Sequence, residues 1–230
     1  MMKKFKIIGL LLCIIAIIGC NNDDNSNDSL TISNTTISIN TDSEITYTSI
    51  MIDGKVTSEE TDIIINRGVC WSIFPNPTID DNIILENTNE FSSIIEELTV
   101  DTKYYFKTFV TNQTGTIYSE EREINTLSLH NTSWRFTTVY ENNFEIYSRV
   151  DLYDDYSTKF DELDIPGQCP GCFITMGTWS VNENILTYIW EGSDPSISTY
   201  IYTGTISGMD ISGNYIHTSE PNRNFTAMMM

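Results

Sequence analysis

The sequence predicts an all-β protein with more than one folded part. From residue 30 to residue 230, short runs rich in Ile, Thr, Tyr, Phe and Val alternate with clusters of Gly, Asn, Asp, Ser and Pro, a pattern typical of β-sandwiches and β-barrels. No long segment has the apolar period of an amphipathic helix. The chain has 230 residues, of which 40% are hydrophobic. One or two hydrophobic cores are therefore expected.

The charge balance excludes one class of partner. The chain has 12 Lys and Arg residues against 32 Asp and Glu residues, which gives a net charge of -20. A chain this acidic is repelled by phosphate backbones, and a nucleic-acid-binding protein needs a basic stripe on its surface. We therefore expect no nucleic-acid partner.

The first twenty residues have the pattern of an export signal. A charged start precedes an apolar run at 7–19, which is too short to span a bilayer comfortably. The run ends in Ile17-Ile18-Gly19-Cys20, which resembles the lipobox of bacterial lipoproteins. The resemblance implies that residues 1–19 are a signal peptide and that Cys20 becomes the lipid-modified first residue. A secretory signal that is cut elsewhere is the alternative.

Residues 20–29 have almost no apolar content and predict a flexible acidic tether. Asp23 and Asp24 resemble the acidic export signals that send some lipoproteins to the outer face of the outer membrane. We therefore expect a cell-envelope protein that contacts the membrane through its lipid anchor, as an outer-membrane lipoprotein. The same resemblance implies display at the cell surface. The sequence does not determine which membrane leaflet holds the anchor.

Residues 30–127 predict a β-sandwich. The spacing of Leu98, Thr102 and Tyr104 resembles the tyrosine corner of fibronectin type III-like domains, with Val100 where that family usually has proline. The resemblance implies that the Tyr104 phenol hydrogen-bonds the backbone upstream, and that the domain is a spacer or binding module without chemistry. The predicted strands are 30–39, 44–52, 63–72, 90–97, 103–112 and 117–126.

Residues 128–230 predict an antiparallel up-and-down barrel. Turn residues at 181–185 and 206–209 connect alternating strands through short hairpins. The segments 177–181 and 202–208 resemble the lipocalin-like small barrels of bacterial lipoproteins, which implies a barrel whose closure removes exposed strand edges. The predicted strands are 133–140, 145–153, 157–163, 173–181, 185–191, 198–206, 209–216 and 224–228.

Cys169 and Cys172 have the CxxC spacing of redox and zinc sites. A redox pair needs its first cysteine at the start of a helix, and the sequence after Cys172 predicts a strand instead. Zinc would need further ligands that the spacing of the other residues does not provide. We therefore predict a local disulfide between the two cysteines in an oxidising compartment, and no metal site. Thiol redox chemistry is the third and weaker functional alternative.

Aromatic residues at alternate strand positions are the remaining lead. They either pack the barrel core, the interpretation that their size favours, or form a platform for a sugar ring or an apolar ligand. The candidate ligand-binding residues are Trp134, Trp179, Tyr188, Trp190 and Tyr202.

The sequence predicts a function in binding rather than catalysis. It contains no nucleophile elbow, zinc-protease motif or phosphate loop, so we expect no enzyme activity and no cofactor. The leading hypothesis is a lipid-anchored binding or adhesion module of the cell envelope, with a glycan, an apolar ligand or a protein as partner. The alternative is a carrier that holds a small apolar ligand inside the C-terminal barrel.

Overall fold

The computed structural model describes residues 35–40, 44–58, 63–140, 143–162, 174–191, 199–217 and 221–230, which lie within one compact unit. The predicted signal peptide, Cys20, the tether and the cysteines at 169 and 172 lie outside the described residues. Sixteen strands are present among the described residues, and eight of them form a closed barrel. The prediction of an all-β chain is confirmed.

The first eight strands form two antiparallel sheets. Their ranges are β1 (Thr36–Asn40), β2 (Ile50–Thr57), β3 (Ile64–Ser72), β4 (Asn82–Leu85), β5 (Glu90–Ile95), β6 (Lys103–Asn112), β7 (Gly115–Tyr118) and β8 (Arg122–Asn125). One sheet has the order β1-β2-β5 and the other has the order β4-β3-β6-β7, with β8 also paired to β6. We call residues 35–127 the two-sheet half.

A shared hydrophobic cluster joins the two sheets. Ile50 and Ile52 from one sheet and Val69 and Phe106 from the other are fully buried in it. Alternate residues of each strand point inward, as the pleat requires. The two-sheet half therefore has its own core.

The hydrogen bond expected at Tyr104 is present. The backbone N–H of Thr99 donates to the Tyr104 hydroxyl oxygen at 2.9 Å, which ties the end of the β5–β6 connection to the start of β6. Val100, in place of the usual proline, is itself buried. The connection is therefore fixed by packing as well as by the phenol.

Some predicted strand boundaries in this half are wrong. Residues 44–49 form a turn rather than a strand, and β2 begins only at Ile50. The Thr46 hydroxyl oxygen closes that turn by accepting the N–H of Ser49 at 2.9 Å. Strand β4 was not predicted, and the segment 117–126 forms two short strands, β7 and β8, rather than one.

The last eight strands form the barrel. Their ranges are β9 (Thr132–Val139), β10 (Glu145–Leu152), β11 (Ser157–Glu162), β12 (Ile174–Asn182), β13 (Ile185–Glu191), β14 (Thr199–Ser207), β15 (Asp210–His217) and β16 (Arg223–Met229). Each strand pairs antiparallel with the next, and β16 pairs with β9 to close the barrel. This confirms the up-and-down prediction. Within the described part of the chain, no helix has the length and hydropathy needed to cross a bilayer.

Aromatic rings fill the middle of the barrel. The ring of Phe136 lies 5.8 Å from that of Tyr188 and 4.9 Å from that of Phe225. At Gly204, a Cβ atom would lie 2.7 Å from the Ile211 side chain and 2.8 Å from the Phe225 ring. The interior is therefore packed closely enough to require glycine at this position.

One end of the barrel is sealed by the two-sheet half, and we call it the near end. Tyr47 is 1% exposed, and its ring lies 5.4 Å from that of Trp134. Its hydroxyl donates to the Met229 sulfur at 3.0 Å. Its backbone N–H donates to the Gly208 carbonyl at 3.1 Å, and the Gly208 N–H donates to the Thr48 hydroxyl at 2.7 Å.

A second set of hydrogen bonds strengthens the same joint. The side-chain oxygen of Asn184 accepts the Val100 N–H at 3.1 Å, and its side-chain nitrogen donates to the Leu98 carbonyl at 2.9 Å. Tyr47 and Val100 belong to the hydrophobic cluster of the barrel rather than to that of the two sheets. The barrel core is therefore completed by residues of the other half.

Candidate functional site at the far end of the barrel

The opposite end of the barrel, which we call the far end, is where β9, β11, β13 and β15 finish. A row of three tyrosines crosses neighbouring strands toward it: Tyr188, Tyr202 and Tyr215 pair in register, and Tyr215 pairs with Arg223. The ring centroids of successive tyrosines are 4.9 Å apart in both steps. The row thus leads from the packed interior to the single arginine of β16.

A second row of rings lies one step closer to the far end. Trp190 stacks on Tyr200 at 4.1 Å with an interplanar angle of 8°, and Tyr200 stacks on His217 at 4.1 Å and 26°. On the other side, Trp190 stacks on Phe160 at 5.1 Å. We call Trp190, Tyr200 and His217 the end row. Trp190 and Tyr200 are thus each stacked on two neighbouring rings, which holds them in fixed positions.

Arg223 is held in a fixed position at this end. Its guanidinium lies 3.8 Å from the centre of the Tyr140 ring, a close cation–π contact. Its Nη1 donates to the Tyr215 hydroxyl at 2.7 Å, and that hydroxyl donates in turn to the Tyr140 hydroxyl at 3.4 Å. Burial raises the pKa of Tyr215, so the phenol stays neutral and can pass the hydrogen bond on.

A groove of about 340 Å³ opens beside this arginine. Exposed Asn222 and Asn224 supply amide groups, while Tyr140 and Arg223 supply the aromatic and cationic surface. The residues that line it are Val139, Tyr140, Pro221, Asn222, Arg223 and Asn224. Its size lies within the usual range of small-molecule sites, which combine an apolar wall with a few placed polar groups.

The five aromatic residues proposed from the sequence all lie inside the barrel. None is more than 6% exposed, so they do not form an exposed surface platform. Their burial supports the core-packing interpretation, and a direct contact with a ligand stays a prediction. They are Trp134 and Trp179 at the near end, Tyr188 and Tyr202 in the tyrosine row, and Trp190 in the end row.

Sequence reasoning missed the polar part of this site. Arg223 falls in phase with the inward-facing Phe225 and Ala227 of β16, and a cation at an inward position is an unusual pattern that could have been noticed. Tyr140 follows directly after β9, so its contact with Arg223 depends on the closure of the barrel. Pattern analysis of single strands does not show which strands close it.

The described histidines and the described cysteine lie in separate parts of the fold. No trio of His, Cys, Asp and Glu side chains in the described part of the chain is grouped to hold a metal ion. His130 packs at the near end, 5.0 Å from the Trp179 ring, whereas His217 lies in the end row. Burial raises the pKa of the Cys70 thiol to about 11, which makes this cysteine a poor nucleophile.

Comparison with known proteins leaves the site to be interpreted from its own geometry. No protein-family model, no curated protein and no solved structure matches the chain.

Proposed function

We propose that this protein is a non-enzymatic, lipid-anchored binding or adhesion module of the bacterial cell envelope, and that its ligand contacts the far end of the barrel. The observation that carries the proposal is the difference between the two ends. Tyr47 fills the near end of the barrel interior, and the groove of about 470 Å³ outside that end is lined by Glu96, Glu97 and Asp210 among others. The far end carries a fixed arginine beside a smaller groove. Mouths of β-barrels are common positions for ligand sites.

Features of both halves support, as proposals, the family resemblances of the two halves and the membrane anchor. The sheet orders β1-β2-β5 and β4-β3-β6-β7, together with the hydrogen bond at Tyr104, support a fibronectin type III-like two-sheet half. The closed up-and-down barrel of eight strands supports a lipocalin-like second half. The lipobox resemblance at Cys20 supports the anchor, and the resemblance of Asp23 and Asp24 to acidic export signals supports an outer-membrane address.

The packed interior favours binding at the end of the barrel over transport inside it. A carrier of a small apolar ligand needs unfilled volume in the barrel, and Phe136, Tyr188 and Phe225 fill its middle. The redox alternative at Cys169 and Cys172 concerns residues outside the described ranges. That alternative stays a prediction, and it requires a thiol pKa well below the free value of about 8.5, which thiol titration tests. Mass measurement with and without reductant tests the predicted disulfide between the same two residues.

Tryptophan fluorescence can test where a ligand binds. The mature chain with Cys20→Ser is titrated with methyl glycosides, a fatty acid, and acidic and basic peptides. Trp190 reports on the far end and Trp179 on the near end, so Trp190→Phe and Trp179→Phe form a matched pair. We expect a saturable signal with one ligand class that is lost in Trp190→Phe and retained in Trp179→Phe.

Other outcomes would contradict the proposal. A signal lost only in Trp179→Phe would move binding to the near end, and silence with the whole panel would argue against a binding site in the barrel. Chemical conversion of the bound ligand, followed by mass spectrometry, would contradict a non-enzymatic role. The anchor is tested separately by labelling cells with a palmitate analogue, which Cys20→Ala should abolish.

A further inference from the structure

Strand β4 is an open edge of the sheet β4-β3-β6-β7, since it pairs with β3 on one side only. The N–H of Glu86 donates to the Arg67 carbonyl at 2.9 Å, and the Ile84 carbonyl faces β3. Hydrogen-bonded pairs alternate along an antiparallel ladder, so the N–H and C=O groups of Ile83 and Leu85 point away from β3. Within the described residues, no hydrogen bond engages these four groups.

The side chains on the same edge are apolar and exposed. Ile83 is 42% exposed and Leu85 is 53% exposed. Both lie on the outer face of the sheet, because Ile84 between them packs against the core of the two-sheet half. Charged residues, proline or a bulge usually protect the edge strands of soluble proteins, and β4 has neither a charge nor a proline. It therefore offers both the backbone groups and the side chains that an added strand needs.

The charges around β4 indicate which kind of strand fits. Asp80 and Asp81 are exposed and directly precede the strand, whereas Glu86 and Arg67 offset each other at its other end. A second copy of the chain would bring more negative charge to this edge, since the net charge is -20, and it would be repelled. A strand with a basic residue near the two aspartates is attracted instead.

The direction of the added strand sets the order of its residues. Antiparallel pairing lets two opposite residues exchange both of their N–H···O bonds, and it is slightly more stable than parallel pairing. A strand that runs antiparallel to β4 meets Leu85 first and Ile83 two residues later. Its following residues then pass Asp81. The basic residue of the partner therefore comes after its apolar residues.

We propose that β4 binds an extended segment of a partner protein as an additional antiparallel strand. The segment carries two apolar residues at alternate positions, opposite Leu85 and Ile83, and then a basic residue near Asp80 and Asp81. This inference goes beyond the proposed function, because it assigns a second contact surface on the two-sheet half rather than on the barrel.

Isothermal titration calorimetry with a defined peptide tests the proposal. The mature chain with Cys20→Ser is titrated with the capped peptide Ser-Val-Thr-Val-Thr-Lys-Ser and, in parallel, with the reversed sequence Ser-Lys-Thr-Val-Thr-Val-Ser. We expect saturable binding of the first peptide with a Kd of about 1 mM or below, and binding of the second several-fold weaker. Hydrogen exchange followed by NMR should show slower exchange of the Ile83 and Leu85 N–H groups in the complex.

Proline substitutions on two sheet edges form a matched pair. Ile83→Pro removes an N–H that points away from β3, so the ladder between β3 and β4 is kept, and the affinity for the first peptide should fall by about tenfold or more. On β5, the Val56 N–H donates to the Asn89 carbonyl at 2.7 Å. By the same alternation the Ile94 N–H points away from β2, so Ile94→Pro makes the same change on the other sheet and should leave peptide binding unchanged.

Two further variants keep the backbone of the edge. If Ile83→Pro does not fold, the exposed substitution Ile83→Lys carries the test, because it removes an apolar contact and repels the lysine of the peptide; the affinity should again fall by about tenfold. Replacing Asp80 and Asp81 together by asparagine should weaken binding of the first peptide several-fold and reduce its preference over the reversed peptide.

Each remaining outcome overturns the inference. These outcomes are equal affinity for the two peptides, equal loss in Ile83→Pro and Ile94→Pro, unchanged exchange at Ile83 and Leu85, and an absence of saturation at about 10 mM peptide. A concentration-dependent dimer in analytical ultracentrifugation that Ile83→Lys abolishes would assign this edge to a second copy of the chain instead.

Discussion

Tyr47→Ala tests whether the two halves share one core. The substitution removes a ring that is 1% exposed and packs against Trp134 at the near end. A buried tyrosine covers about 150–250 Å², which at about 25 cal/mol per Å² corresponds to roughly 4–6 kcal/mol. Measured losses for buried aromatic residues replaced by alanine are about 3–5 kcal/mol. We expect the free energy of unfolding to fall by about 4 kcal/mol.

Urea denaturation followed by tryptophan fluorescence measures this loss. Hydrogen exchange with mass spectrometry, at increasing urea, then reports on peptides from both halves. Tyr47→Phe keeps the ring and removes only the hydroxyl that donates to Met229, so it should cost about 1 kcal/mol or less. Tyr105→Ala removes a half-buried tyrosine from the outer face of β6 and serves as the matched control, with a small expected loss.

The reasoning fails if the halves behave as independent domains. A loss below about 1 kcal/mol in Tyr47→Ala would show that the ring does not complete the barrel core. Loss of protection in one half at a urea concentration that leaves the other half protected would show two separate unfolding units. Equal effects of Tyr47→Ala and Tyr105→Ala would assign the loss to general surface changes.

Three further predictions concern single positions. Tyr104→Phe leaves the Thr99 N–H without its acceptor and should lower the free energy of unfolding, measured in urea, by about 1–2 kcal/mol. An unchanged midpoint of the urea transition would show that packing alone holds the β5–β6 connection. Burial raises the pKa of the Cys70 thiol from 9.0 to about 11. The preference of the folded state for the neutral thiol therefore contributes roughly 2–3 kcal/mol to the free energy of unfolding below pH 9, and this contribution is lost as the pH rises toward 11. The free energy of unfolding is measured against pH for wild type and Cys70→Ala; the difference between the two curves should change over this range, and parallel curves would contradict the prediction. Gly213→Ala places a Cβ atom 2.0 Å from the Thr203 carbonyl oxygen, so thermal unfolding should show a loss of about 3 kcal/mol or more, and a native melting temperature would refute the contact.

The sequence predicted the barrel strands better than those of the two-sheet half, for a physical reason. Barrel strands alternate inward and outward residues between short turns, so a local pattern determines them. The segment 44–49 carries the same kind of alternation at Ile45 and Tyr47, but Tyr47 packs into the barrel instead of into a sheet. Burial against a distant partner and burial within a strand produce the same local pattern, so the sequence alone did not separate them.

The candidate site was predicted in part. Alternation predicted that some aromatic residues of several barrel strands share a face, either in the core or as a ligand platform, and the structure buries Trp190, Tyr188 and Tyr202. It did not predict that they stack in rows, because the rows depend on the register between strands. The contact of Arg223 with Tyr140 depends on which strands close the barrel, which no local pattern shows.

The seal at the near end also limits how this protein can be built from parts. Genes for multidomain proteins change by exchanging segments whose products fold alone. A segment that encodes only residues 128–230 would specify a barrel whose base lacks Tyr47 and Val100. Transplanting the barrel into another protein would therefore require the turn at 44–49 and the β5–β6 connection to travel with it. The unit available for recombination or for engineering is therefore the two-sheet half together with the barrel.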